Sequence, residues 1–367
     1  MNTQKILTIG DSAPWFVTRS ASNERYTFHS VAGRHVALAF YGTSQTKFGK
    51  SINTFFDALL SKRGDKSLCF LGVSTDSDDE KLNRVAEKPY GMSHLWDFDK
   101  KISALYKAVS SSGEFQALVY ILDPMLRVVR VFKFSPDDEN FDVLQDYLNG
   151  LPKKDAPYLA KPQAPVLVVP NIFGPELCQQ LIEYYEQAGG TDSGFMREID
   201  GKTVGMLDYS HKRRRDCTLE EGALRTACID SVFNKLVPVI ALAFQFHTTR
   251  MERTLVACYD AEEQGHFSAH RDNTTQGTAH RKFAVSLFLN SGDYEGGYLK
   301  FPEFGSGHFA APMGGAVVFS CSLLHQATQV TKGRRYMFLP FLYDEASELI
   351  RQKSASQIVG LFNKTTL

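Results

Sequence analysis

Between positions 150 and 170 the chain is punctuated by proline, at 152, 157, 162, 165 and 170. Each proline removes a backbone donor and fixes φ, so no helix or central strand runs through such a stretch. The segment divides the chain, and the residue pattern differs on its two sides. At 367 residues the chain also exceeds what one hydrophobic core usually serves. The expected division is a first domain over 1–150, a proline-rich linker over 151–165 and a second domain over 166–367.

Upstream, strand-like and helix-like runs alternate. Residues 36–41 (VALAFY) and 67–74 (SLCFLGVS) are apolar runs suited to buried strands. Ile52, Phe55, Phe56, Leu59 and Leu60 recur at helical spacing. Residues 117–122 and 128–132 flank a turn at Asp123, Pro124, Met125 and Leu126. The alternation predicts an α/β sandwich.

Downstream, a helix is expected from Pro175 to the Gly189–Gly190 pair, with Leu177, Leu181, Ile182 and Tyr185 as its apolar stripe. A second helix is expected from about Thr218, which has capping-box spacing to Glu221, with a break at Pro238. Beyond Arg253, strands are expected over 254–259, 283–289, 298–301, 316–320 and 335–343, separated by glycine-rich turns. That pattern predicts an antiparallel barrel or sandwich of the jelly-roll type.

Acidic and basic residues balance at 41 each, so no large-scale field draws the chain to nucleic acid or a membrane surface. The one basic run, Lys212, Arg213, Arg214 and Arg215, reads as a solvated loop, with substrate steering as the second reading. No signal-peptide core is visible at the N-terminus, and no run of about 20 apolar residues is counted. The six cysteines (69, 178, 217, 228, 258 and 321) form no CxxC pair. A zinc site or disulfide framework is therefore not expected, and a reducing cytoplasm is.

The chemistry concentrates in the second half. His270-x-Asp272 places an imidazole and a carboxylate two residues apart, on one face if the segment is a regular strand. By the same parity His266 and Ser268 would share that face. Two histidines and one carboxylate on one face of an octahedral metal leave three positions open, as non-haem Fe(II) oxygenases require. The downstream candidates for the third ligand are His280, in a polar loop, His308, in a glycine-rich connection, and His325, after an apolar strand. Only His325 is followed at a suitable remove by an arginine on a later strand. A guanidinium there would pair bidentately with the far end of a dicarboxylate that chelates the metal.

The stretches PVLVVPNIFGPELCQQLIEYYE, CYDAEEQGHFSAHRD, VSLFLNSGDYEGGYLKFPEFG and GGAVVFSCSLLHQATQVTKGRRYMFLPFLYD resemble the prolyl-4-hydroxylase-like branch of the 2-oxoglutarate/Fe(II) oxygenases. The resemblance implies a double-stranded β-helix (jelly-roll) domain with flanking helices. It implies His270, Asp272 and His325 as ligands of Fe(II), and Arg335 as the partner of the distal carboxylate of 2-oxoglutarate. Arg334 should point to the opposite face. The resemblance further implies Tyr259 as a hydrogen-bond partner of the cosubstrate, Leu287 and Leu299 as pocket walls, and ascorbate as a possible accessory. The implied reaction hydroxylates an amino-acid side chain, in a protein or a small molecule, and releases succinate and CO2. Substrate selection would fall to a variable loop region at positions 190–216, which carries no recognisable motif.

The first half, with GDSAPWF, VALAFYGTSQTKFG, FLGVSTDSDDE and ALVYILDPMLRVVRVF, resembles the peroxiredoxins, which implies a thioredoxin-like fold. Aligning the family's threonine on Thr43 puts Thr46 where the peroxidatic cysteine belongs, and no cysteine precedes Cys69. The domain is expected to keep the fold without the peroxidase chemistry, and to bind a partner or substrate or buttress its neighbour. The competing functions are a thiol-dependent peroxide reductase using Cys69 and a non-catalytic module sensing iron or 2-oxoglutarate. A nucleic-acid demethylase is disfavoured by the neutral charge balance.

Overall fold

The apolar runs of the first unit, Met1–Tyr158, form the middle of a seven-stranded sheet in the computed structural model, which describes residues 6–64, 66–153, 155–160, 162–354 and the backbone of 358–363. His35–Gly42, Leu68–Ser74 and Met92–Trp96 are parallel. Ala117–Leu122 and Val128–Phe134 form an antiparallel hairpin beside them. Parallel strands need crossovers that cover both faces, so these runs are apolar without alternation. Helix Lys47–Arg63 buries Phe48, Ile52, Phe56 and Leu60 on one face of the sheet. Each buried phenylalanine contributes about 2–3 kcal/mol. The helix begins ahead of the expected segment because Thr46 caps it: the Gly49 N–H donates to Thr46 Oγ1 at 2.9 Å. The unit is thioredoxin-like.

Leu151 packs on the core of the first unit, and Ala164 on that of the second, Leu159–Leu367. Tyr158 and Leu159 between them are exposed.

The second unit is mainly β. Its largest sheet has nine strands, including Arg215–Thr218, Leu255–Asp260, Phe283–Phe288, Ala316–Ser320 and Arg334–Phe338. A five-stranded sheet runs Lys212–Arg213, His266–His270, His325–Ala327, Leu299–Lys300 and His308–Phe309. Side chains of both sheets meet in one core that holds Tyr259, Phe267, Phe288, Leu299, Phe319 and Ala327. The other face of the large sheet packs on helices, among them Pro175–Ala188. Alternation therefore splits the strand Phe283–Phe288. Phe283, Val285 and Leu287 face the helices, and Ala284 and Phe288 face the interior.

Four expectations need correction. Thr218 ends a strand paired to Leu255, and the helix starts only at Ala223, so the capping box does not form. Pro238 does not break the helix. A π turn over Val232–Leu236 comes first, and the proline sits in the first turn of Val237–Phe244, where its missing N–H costs little. The resulting 22-residue run, Ala223–Phe244, is long and apolar enough by composition to cross a bilayer, a run the sequence reading did not count. Its Cys228, Val232, Leu236 and Ile240 lie in the core. Finally, positions 190–216 are not a loop. They carry the hairpin of Phe195–Ile199 and Lys202–Leu207, whose second strand also pairs in parallel with Ile358–Asn363.

Candidate metal centre

His270, Asp272 and His325 converge, with one ligand atom from each lying within 4.8 Å of the others. His270 and His325 are directly opposed across the small sheet. Their Nε2 atoms stand 3.5 and 3.3 Å from the two oxygens of Asp272. The opposite ring atoms face backbone carbonyls: His270 Nδ1 lies 2.8 Å from Ser268 O, and His325 Nδ1 3.0 Å from Leu323 O. A carbonyl only accepts, so each Nδ1 carries the proton and each Nε2 turns a lone pair inward. Two imidazole lone pairs and a carboxylate then share one spot, a donor set that suits a divalent cation. Burial alone would raise the Asp272 carboxyl, but the neighbouring His325 and His270 rings hold it well below the ordinary range. Burial pushes His325 down to about 4 despite Asp272, which favours the neutral ring that a metal needs.

Regular strand parity is not what assembles this set. One extra residue is inserted between Phe267, which pairs with Ala327, and His270, which pairs with His325. The bulge puts Phe267 and His270 on one face, their rings stacked 3.5 Å apart. His266 and Ser268 are thereby turned away from the site. The His266 ring instead meets the carbonyls of Gln264 and Ser210. Asp272 lies beyond the strand, and its N–H donates to Cys321 O at 3.0 Å.

Arg335 lies opposite Tyr259 in the large sheet and is 1% exposed. Its guanidinium sits 5.0 Å from the Tyr259 ring and 5.1 Å from the Phe288 ring. Among the described residues no carboxylate lies within ion-pair range of it, and its Nε has no partner. A buried, unpaired guanidinium is costly unless an anion completes it, so the cluster fits a dicarboxylate cosubstrate. Gly297 is needed beside it: a Cβ there would come within 2.5 Å of Arg335 Cδ. Arg334 faces the other way, 2.8 Å from Asp260. Tyr259 and Leu299 line a recess of about 60 Å³ that reaches all three triad residues. Leu287 does not, because strand alternation sends it to the helix-side core, and Phe288 takes the inward place.

A larger cavity of about 860 Å³ opens in front of His270 and Asp272. Much of its wall comes from positions 191–218, including Phe195, Met196, His211 and Lys212. The basic run is not a solvated loop. It spans two short strands, so Lys212 and Arg214 point inward, 4% and 6% exposed, while Arg213 and Arg215 pair outward with Glu263 and Asp192. His211 is a cavity residue that sequence reasoning missed, since nothing in its spacing set it apart. His280 is held 3.0 Å from Glu252, and His308 stacks on Tyr298, so neither joins the triad.

In the first unit, Thr46 is spent on capping its helix. Cys69 is 3% exposed, and burial pushes its thiol up to about 12, the opposite of an activated thiolate.

Known proteins divide in the same way. Residues 254–343 match the family model of the 2OG-Fe(II) oxygenase superfamily, and residues 9–131 that of the AhpC/TSA family. A PKHD-type hydroxylase of Shewanella sp. (strain MR-4) is 26% identical over 227 residues, covering 54% of this chain and 94% of that one. A second, from Shewanella sp. (strain ANA-3), is 27% identical over 182 residues, covering 46% and 74%. Among solved structures, AhpC of Mycobacterium bovis is 19% identical with TM-score 0.34, covering 40% of this chain and 93% of that one. A prolyl hydroxylase from Trichoplax adhaerens is 16% identical with TM-score 0.39, covering 52% and 88%. The chain thus joins an AhpC/TSA-type domain to a 2OG-Fe(II) oxygenase domain. The second of these is the domain of an Fe(II)/2-oxoglutarate-dependent dioxygenase.

Proposed function

We propose that the second unit hydroxylates an amino-acid side chain, in a protein or in a small molecule. His270, Asp272 and His325 hold Fe(II), and Arg335 binds the distal carboxylate of 2-oxoglutarate. The observation that carries this reading is the convergence of two imidazole lone pairs and one carboxylate within 4.8 Å. Fe(II) bound there would supply the oxidising chemistry together with O2, one oxygen atom going to 2-oxoglutarate as it loses CO2 to become succinate and the other to the substrate. The chain does the rest. The carbonyls of Ser268 and Leu323 fix the two rings. Tyr259 and Leu299 shape the cosubstrate recess, and Phe267 and Phe319 wall it against water. The large cavity receives the substrate.

Ascorbate is proposed as a supporting reductant, and a cytoplasmic setting accords with six free, buried cysteines. The first unit is proposed to bind a partner or to support its neighbour. The test is succinate formation by the full chain with Fe(II), 2-oxoglutarate and a cell extract, scored with a substrate mass gain of one oxygen. Turnover should vanish in His270→Ala and Asp272→Ala; undiminished turnover in both overturns the reading.

A further inference from the structure

Beside the metal centre three cations crowd one carboxylate. Arg214 and Arg253 both contact Asp216 Oδ2, at 2.6 and 3.1 Å. Lys212 Nζ donates to Ser193 Oγ at 2.7 Å and to Gly194 O at 2.5 Å, and among the described residues it has no carboxylate in ion-pair range. Lys212, Asp216 and Arg253 line the large cavity together with His270 and Asp272. Arg253 also lines the recess at the triad, as does Arg214, whose Nε has no partner. Lys212 and Arg214 are buried and Arg253 is partly exposed, so three basic groups share one carboxylate where solvent screens them little. Asp272 does not offset this excess of positive charge, since a divalent cation bound to it adds more charge than the carboxylate removes. The cations also press on one another. Burial, and then Arg214, push Lys212 far below its ordinary range and Arg253 down to about 10.

We infer that Lys212 and Arg253 form an anion subsite for the substrate, and that the substrate is a small molecule carrying a carboxylate or phosphate. This rests on the oxygenase reading and names the substrate class for the same site. A cavity of about 860 Å³ is within the usual range for a small-molecule site. Lys212 and Arg253 lie in its wall, where a compact anion reaches them. Arg335 lies apart, between Tyr259 and Phe288, and is kept for the cosubstrate. The anion would hold one end of the substrate while another part is presented to the metal.

The test is calorimetric titration of the full chain, loaded without oxygen with Fe(II) and saturating 2-oxoglutarate, using inorganic phosphate as the probe. Saturable binding is expected, weakened about tenfold or more in Lys212→Met and in Arg253→Met, with 2-oxoglutarate affinity held within about twofold in Lys212→Met, which lies outside the cosubstrate recess. That second affinity is also the control for folding. Three results overturn the inference: no phosphate binding to the wild type; binding unmoved by either variant; or loss of 2-oxoglutarate affinity as large as in Arg335→Met, which assigns the cluster to the cosubstrate. An aspartate-rich hexapeptide that outcompetes phosphate overturns the small-molecule assignment in favour of an acidic protein segment. Failure of the wild type to bind 2-oxoglutarate in a metal-dependent way is a different outcome, and it overturns the oxygenase reading instead.

Discussion

Both units bury polar clusters, but only one of them closes its cluster. In the first unit Asp79 is fully buried and accepts from Ser44 N, Ser44 Oγ and Ser74 Oγ at 2.9, 2.5 and 2.7 Å. Thr43 and Arg84 reach the neighbouring Asp76 in the same way. Donors meet acceptors, and the network ties Leu68–Ser74 to the residues before the long helix. In the second unit, by contrast, three acceptors face one another at the triad, and Arg335 is buried without an anion. A closed network holds a fold together, whereas an open one, with like groups converging, awaits something from outside.

That contrast can be broken by removing its parts. The largest effect is expected at the open cluster. His325→Ala, or stripping the metal with a chelator, should cut succinate formation about a thousandfold or more; retained turnover would mean the three acceptors are not the metal site. Arg335→Met should raise the KM for 2-oxoglutarate about 10–100-fold, through loss of charge-assisted hydrogen bonds. A KM that stays put would move the cosubstrate elsewhere.

The closed cluster should answer in stability instead. Asp79→Ala strands three donors and should cost about 3 kcal/mol. Both tryptophans, Trp15 and Trp96, lie in the first unit, so fluorescence during denaturation reads that unit alone. An unchanged midpoint would show the network to be ornamental.

A comparable but more gradual effect is expected from pH. Burial pushes His94 down to about 4, against the Ala86 backbone and Asp79, and its ring lies 3.2 Å from Tyr41 OH. The unfolded chain binds this proton near pH 6.5 and the folded one near 4, so protonation favours unfolding. The stabilisation is full above about 6.5 and is lost as pH falls toward 4, by about 3 kcal/mol. A His94→Gln variant should flatten that acid limb of the fluorescence curve, and an identical limb would assign it to other groups. The smallest effect belongs to Cys69→Ser, which should leave peroxide consumption at background in both forms. A drop from a measurable rate would restore the thiol reading.

Much of this was legible in the sequence, for reasons visible residue by residue. The runs at 36–41 and 316–320 read as strands because they are buried on both faces. Arg335 could be separated from Arg334 because strand alternation admits only one of them to the interior. Most of the failures share a cause: they depended on a partner distant in sequence. Leu287 and Phe288 are equally apolar, and only the location of the helices decides which faces the interior between the sheets. Lys212 and Arg214 read as solvated until Lys212–Arg213 pairs with His266–Phe267 and Arg215–Thr218 with Leu255–Cys258, which turns every second side chain inward. Thr218 and Glu221 have the letters of a cap, but the same pairing took the threonine's backbone first. Pro238 reads as a break because nothing in its neighbours announces a π turn.

The bulge between Phe267 and His270 bears on how such centres are copied. A designer who grafts His-x-Asp onto an unbroken strand reproduces the spelling and inherits the wrong face, because here the spacing works only with one residue too many upstream and the carboxylate past the strand's end. The transferable unit is the whole irregular segment from Phe267 to Asp272, together with the carbonyl of Cys321 that anchors it.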